Sequence, residues 1–146
     1  KSYSDFVLRV KVKLGNHNSG IQFRSEQFPD YVVGGYQADI ADNEYYGMLY
    51  EEKKRGFMPY WSEISKEEKD AIAAVVKRGE WNQYEVICMG DHIVMILNGH
   101  KVLDIVDPKG AKEGIVALQL HAGPSMEVRF KDIEIRTSKL QEYLEK

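Results

Sequence analysis

The sequence predicts an all-β fold, an antiparallel sandwich of the jelly-roll type carrying one short helix. Three observations predict it. From Asp5 to Leu14 the side chains alternate without a break, with Phe6, Leu8, Val10, Val12 and Leu14 on one face and Val7, Arg9, Lys11 and Lys13 on the other. That is the mark of a strand with one wet face. Runs of the same kind recur along the chain, parted by clusters of Gly, Asn, Asp and Pro that close turns. Only one stretch carries a helical period with its own start and stop.

After the first strand, Gly15-Asn16-His17-Asn18-Ser19-Gly20 reads as a turn. Ile21 to Arg24 follows as a strand, with Ile21 and Phe23 inward and Gln22 and Arg24 outward. Residues 25–35 form a loop containing Pro29 and Gly34-Gly35, and Tyr36 to Ile40 is the next strand. From Asp42 to Trp61 the chain reads as irregular and aromatic, with Tyr45, Tyr46, Tyr50, Phe57, Tyr60 and Trp61. So long and aromatic a loop either borders a site or plugs a sheet edge. Ser65 and Glu68 form a capping box that starts the helix; Ile72, Val75 and Val76 give its apolar stripe, and Gly79 its stop.

Strands are then expected over Trp81–Met89, His92–Leu97 and His100–Val106, joined at Gly90-Asp91 and at Asn98-Gly99, a strong hairpin signal. A loop punctuated by Asp107-Pro108 and Lys109-Gly110 leads to a strand over Ile115–His121. The closing strand, Met126–Arg136, carries an expected bulge near Lys131-Asp132. Ser138 to Lys146 reads as a short amphipathic helix or a frayed end. The shared period-two phase puts Phe6, Leu8, Val10, Ile21, Phe23, Leu118, Leu120 and Phe130 in the core of one domain covering residues 1–146.

Bulk properties exclude several functions. The net charge is −3, so no field draws nucleic acid or an anionic membrane. No apolar run is long enough to span a bilayer, and no signal peptide is visible. The single cysteine, Cys88, lies in the apolar run VICM and reads as buried filler rather than a nucleophile. His17, His92, His100 and His121 form neither HxH nor HExxH, which argues against zinc. There is no G-x-S-x-G elbow and no glycine-rich phosphate loop before a helix.

The polar faces point to a ligand. In ALQLHAG, Gln119 and His121 share one face, about 7 Å apart at roughly 3.3 Å of rise per residue. Gln22 with Arg24, and Gln37 with Asp39, repeat the arrangement on two other strands. In one sheet these pairs would pave a single polar surface. Sugars need planar hydrogen-bonding groups for their hydroxyls and aromatic faces for their C–H surfaces. Gln22, Gln37, Gln119, Asn82, Asp39 and Arg24 supply the first; Tyr45, Tyr46, Tyr50 and Trp61 supply the second. Asp42 joins the expected binding set. His121 is either a proton carrier near neutral pH or an imidazole on a solvated face.

The segments YSDFVLRVKVKL, NSGIQFR, GYQADIAD followed by GMLYEE, GEWNQYEV, ILNGH, GIVALQLHAGP and VRFKDIEIR occur in that order. With them the chain resembles the 3-keto-disaccharide hydrolase family, first catalogued as a domain of unknown function (DUF1080), from about Tyr3 to Arg136. The resemblance implies a concanavalin A-like jelly roll with its ligand on the concave face of a sheet, and a periplasmic or secreted location. Two departures stand out. Family members usually begin with a further segment ending in Trp, so a trimmed N-terminus with its first strand missing is expected here. Many also carry an acidic residue where this chain has Gln37.

The resemblance further implies cleavage of glycosides oxidised to a ketone at C3. The ketone acidifies the C2 proton; a base removes it, an enolate forms, and the C1 substituent leaves by β-elimination with help from an acid. Water addition then makes the net reaction a hydrolysis. In this reading His121 is base or acid, Arg24 stabilises the enolate, and Asp39 orients His121 or carries the second proton, with Glu51 as a weaker alternative. No cofactor is required, although a divalent metal is an alternative electrophile to Arg24. The expected partner is a sugar or keto-sugar; the oligomeric state is left open. The competing reading is a non-catalytic, lectin-like carbohydrate-binding module.

Overall fold

The computed structural model describes residues 1–144, so the last two residues of the expected C-terminal helix or frayed end lie outside the described residues. Two antiparallel sheets face each other. The first has six strands in the order β1 (Ser2–Tyr3), β10 (Gly114–Leu118), β3 (Asn18–Gln27), β4 (Val33–Ala41), β5 (Leu49–Glu52) and β6 (Gly56–Phe57). The second has five, in the order β11 (Val128–Arg136), β2 (Phe6–Leu14), β7 (Asn82–Met89), β8 (His92–Leu97) and β9 (His100–Val106). Successive segments cross between the sheets, as in a jelly roll.

Alternation places the core as expected along most strands. Phe6, Leu8, Val10 and Val12 of β2 meet Ile21 and Phe23 of β3 and Tyr36, Ala38 and Ile40 of β4, all buried. Cys88 is buried among them, and burial pushes its thiol up to about 12, which leaves it unreactive near neutral pH. Asn98 and Gly99 both adopt positive φ, 52° and 83°, the type I′ geometry that an Asn-Gly hairpin favours. The closing strand shifts register between Lys131 and Glu134, with Asp132 at φ 50°, where a bulge was expected.

Two core expectations fail. Leu118 and Leu120 are 39% and 76% exposed. Leu118 keeps the inward phase, directly across the ladder from buried Ile21, but β10 is flanked on its outer side only by the two-residue β1. Too little chain covers that edge to bury it, and Leu120 lies beyond the end of the strand. Phe130 is partly buried against the core. On the far face of the five-stranded sheet, Val7, Ile87 and Val94 are covered by Leu140 and Tyr143, the latter in a 3-10 turn at Gln141–Tyr143.

The segment from Asp42 to Trp61 is more ordered than its sequence indicates. It contains β5, β6 and the start of the one-turn helix α1 (Tyr60–Glu63). These strands are too short to announce themselves, and β5 is defined by its non-local partner β4, with Gln37 opposite Tyr50. The main helix, α2 (Lys66–Val75), has both halves of the Ser65–Glu68 capping box. It ends before Gly79 because the Asn82 side chain takes up both the N–H and the C=O of Lys77. No helix among the described residues is long and apolar enough to cross a membrane.

Candidate functional site

A cavity of about 210 Å³ opens on the outer face of the six-stranded sheet. Its floor is the polar face of β4. Because Tyr36, Ala38 and Ile40 turn inward, Gln37 and Asp39 must turn outward. Tyr50 and Glu52 of β5 and Asn18 of β3 extend the floor, and Gln119 and His121 approach from the chain beyond β10. Tyr45 and Tyr50 each meet Phe57 edge-to-face, with centroids 5.4 Å apart in both pairs, and make an aromatic wall.

Asp39 is the electrostatic centre. It is 6% exposed, and burial pushes its carboxyl up to about 7. A hydrogen bond from Gln37 Nε2 to Asp39 Oδ1 at 2.7 Å and the charge of His121 oppose that rise, while Glu52 adds to it. The backbone beneath is rigid: Asp39 N–H donates to Met48 O, and Asp39 O accepts from Gly47 N–H and from the Tyr84 hydroxyl. The Oε1 atoms of Gln37 and Gln119 are buried without a hydrogen-bond partner. Two acceptors therefore wait at the site for donors such as sugar hydroxyls.

Gln119 lies past the end of β10 yet is docked on β3, its N–H on Gly20 O at 2.9 Å and its C=O on Ser19 Oγ at 2.7 Å. His121 follows, exposed, with Nδ1 2.6 Å from Ala122 O. A carbonyl only accepts, so Nδ1 carries the hydrogen and Nε2 of the neutral ring keeps its lone pair. The His121 ring packs edge-on against His17 at 5.0 Å. His17 sits in a left-handed turn at φ 70°, clamped by Asp42, whose Oδ2 accepts from His17 N–H and whose N–H donates to His17 O, both at 3.0 Å.

The structure thus brings together Gln37, Asp39, Tyr50, Gln119 and His121. Gln22 stands on the same face, directly across from Gln37, but its amide is turned to Val33 O at 3.1 Å. Asp42 is the clamp on the His17 turn and lines a different cleft.

Arg24, Glu51 and Asn82 must be corrected. The register shift between Phe23 and Glu26, with Arg24 at φ 45°, breaks the alternation of β3 and sends the guanidinium into the protein. There it is 2% exposed and bonded to Ser4 O, Gly90 O, Ala111 O and Asp5, so it ties the two sheets together and does not meet His121. Glu51, opposite Tyr36, faces inward and pairs with Arg55, which in turn holds Asp107. Asn82 fixes the link between α2 and β7 through Lys77, Glu80 and Asn98.

The aromatics divide likewise. Tyr45 and Tyr50 border the site; Tyr46 and Trp61 are buried in the core. Sequence reasoning missed Glu52, Asn18 and His17. Glu52 could have been found, since it shares the period-two phase of Tyr50. Among the described residues, no three His, Cys, Asp or Glu side chains cluster closely enough to hold a metal ion.

Fold and site together define an antiparallel β-sandwich with a polar, aromatic-walled cavity on one sheet. Residues 1–136 match the 3-keto-alpha-glucoside-1,2-lyase-like domain, and the chain belongs to that family. Two structures of candidate glycosyl hydrolases from Parabacteroides distasonis ATCC 8503 share the fold. One is 24% identical with TM-score 0.63, the match covering 94% of this chain and 80% of the other. The second is 20% identical with TM-score 0.62, covering 93% and 73%. The carbohydrate-binding module CBM66 from Bacillus subtilis is also similar, at 15% identity and TM-score 0.65, covering 94% and 78%. No curated protein sequence matches the chain.

Proposed function

We propose that this protein cleaves glycosides bearing a ketone at C3, by proton abstraction at C2 and elimination of the C1 substituent, followed by addition of water. The observation that carries the reading is the pairing of a buried carboxyl raised to about 7, Asp39, with an imidazole whose Nε2 is free, His121, in one cavity. Two proton carriers in different environments are what an elimination needs.

His121 Nε2 takes the C2 proton, and the electron pair moves into the C2–C3 bond as the ketone oxygen becomes an enolate. The pair then returns to form C1=C2 while the C1–O bond breaks. Asp39, as a carboxylic acid, gives its proton to the departing oxygen. Donors to the enolate oxygen come from neutral groups of the cavity, the Asn18 and Gln119 amides and the Tyr50 hydroxyl. The unpartnered Oε1 atoms of Gln37 and Gln119 accept from sugar hydroxyls. A periplasmic or secreted location belongs to the same proposal and rests on the family resemblance.

The test is incubation with a panel of 3-keto-glucosides while aglycone release is followed, with a C2-deuterated substrate alongside. Release with a primary isotope effect supports the reading. A second reading keeps the same sugar site without turnover, favoured by the aromatic wall and by the fold shared with a carbohydrate-binding module. Saturable binding of the same sugars without release would decide for it.

A further inference from the structure

On the other side of the Asp42–Tyr46 segment lies a second cleft, of about 100 Å³, that shares no residue with the sugar cavity. Neighbouring tyrosines face different ways: Tyr45 lines the first and Tyr46 the second. Leu14, Ala41 and the Tyr46 ring supply apolar wall, and Lys77, Arg78 and Asp42 supply charge. Tyr46 is 4% exposed, stacked on Tyr84, and its hydroxyl is buried with no hydrogen-bond partner. A buried hydroxyl left unpaired costs free energy, so a group that completes it would be held there.

The cations stand on a rigid frame. Both backbone polar groups of Lys77 are bonded to the Asn82 side chain at 2.8 Å. Arg78 uses one guanidinium nitrogen on Asn43 O at 3.3 Å, and neither cation is in an ion pair with Asp42 or any other described carboxylate. Asp42 accepts from His17 N–H, and against its one negative charge the lining sets two cations, Lys77 and Arg78.

We propose that this cleft is a second ligand site for the carboxylate end of a small acidic molecule such as a hexuronic acid, the rest of the ring standing outside the cleft. Arg78 and Lys77 hold the carboxylate, Leu14 and the Tyr46 ring border the carbon skeleton, and the Tyr46 hydroxyl bonds a ligand oxygen. A planar guanidinium with free N–H groups suits a carboxylate.

The probe is D-glucuronate, with D-glucose as the neutral control, followed by amide chemical shifts of the full chain. Glucuronate should perturb Tyr46 and Lys77 to Asn82, and glucose should not. Arg78→Gln should weaken glucuronate about tenfold, the scale of one charge-assisted hydrogen bond. Tyr46→Phe, which keeps the ring and its stacking, should weaken it about fivefold while Tm of the ligand-free chain rises, since an unpaired buried hydroxyl is removed. Equal perturbation by glucose, perturbation confined to Tyr50 and Phe57, no response at tens of millimolar, or unchanged affinity in either variant would overturn the proposal. Perturbation confined to Tyr50 and Phe57 would seat glucuronate in the sugar cavity instead; the other outcomes leave that cavity's reading untouched, since it uses other residues.

Discussion

Gln37 and Asp39, two residues apart on the outer face of β4, are bonded side chain to side chain at 2.7 Å, Nε2 to Oδ1. The bond commits the donor half of the amide to the carboxyl and leaves its acceptor half, Oε1, unpartnered in the site. One strand therefore presents a positioned acid and an empty acceptor side by side. A carboxylate in place of Gln37 would push Asp39 higher still by like-charge repulsion, whereas the amide opposes the rise.

Asp39 should couple stability to pH. Burial pushes its folded carboxyl up to about 7, from an ordinary aspartate value of 3.8. The folded state therefore binds the proton more tightly, and stability falls as pH rises from about 4 through about 7. Asp39→Asn removes the ionisable group while keeping its shape. The variant should lose that slope and be more stable than the parent above pH 7, by up to a few kcal/mol. Urea unfolding at pH 5 and pH 8 measures it; a parent with equal stability at both would contradict the argument.

The same titration should shape the rate. As the acid, Asp39 must hold its proton, so turnover of a 3-keto-glucoside should fall as pH rises above about 7. Asp39→Asn should lose that limb together with most of its activity, a drop of about 10²–10⁴. A parent rate that keeps climbing through pH 9 would assign the acid elsewhere.

His121 is exposed and outside any strand, so His121→Ala should change stability by less than about 0.5 kcal/mol. Activity should drop by roughly 10²–10⁴. Normal turnover in the variant would move the base to Asp39 or Glu52.

Tyr50→Ala removes one side of the aromatic wall. Loss of a stacking face should weaken sugar binding by about 1 kcal/mol, roughly fivefold. Calorimetric titration beside a thermal melt separates the outcomes: unchanged affinity with a large fall in Tm would make the wall a structural plug.

Arg24 tests the correction to β3. Removing it leaves the carbonyls of Ser4 and Gly90 unpaired between the sheets, so Arg24→Ala should cost roughly 3 kcal/mol or more. Arg24→Lys should rescue only part of it, since one ammonium cannot span acceptors that the planar fork reaches together. An Arg24→Ala variant that folds with unchanged stability but loses activity would return Arg24 to the site.

Local chemistry decided much of this protein. The period-two phase of β2 and β4 is written in FVLRVKVKL and YQADI, because a strand with one buried face admits only one register of apolar residues. That phase alone put Gln37 and Asp39 on the outer face, and Ser65 with Glu68 announced the start of α2. Tertiary structure decided the rest. Arg24 left its expected face because a bulge, which obeys pairing with β4 and not local sequence, rotated it inward. Glu52 entered the site in place of Glu51 once β5 paired with β4 and fixed which of two adjacent carboxylates turns outward. His17 met His121 only when the β2–β3 turn and the chain beyond β10 were folded onto one another. Leu118 and Leu120 stayed exposed because burial depends on what covers an edge, and a residue's own hydrophobicity carries no record of its neighbours in space.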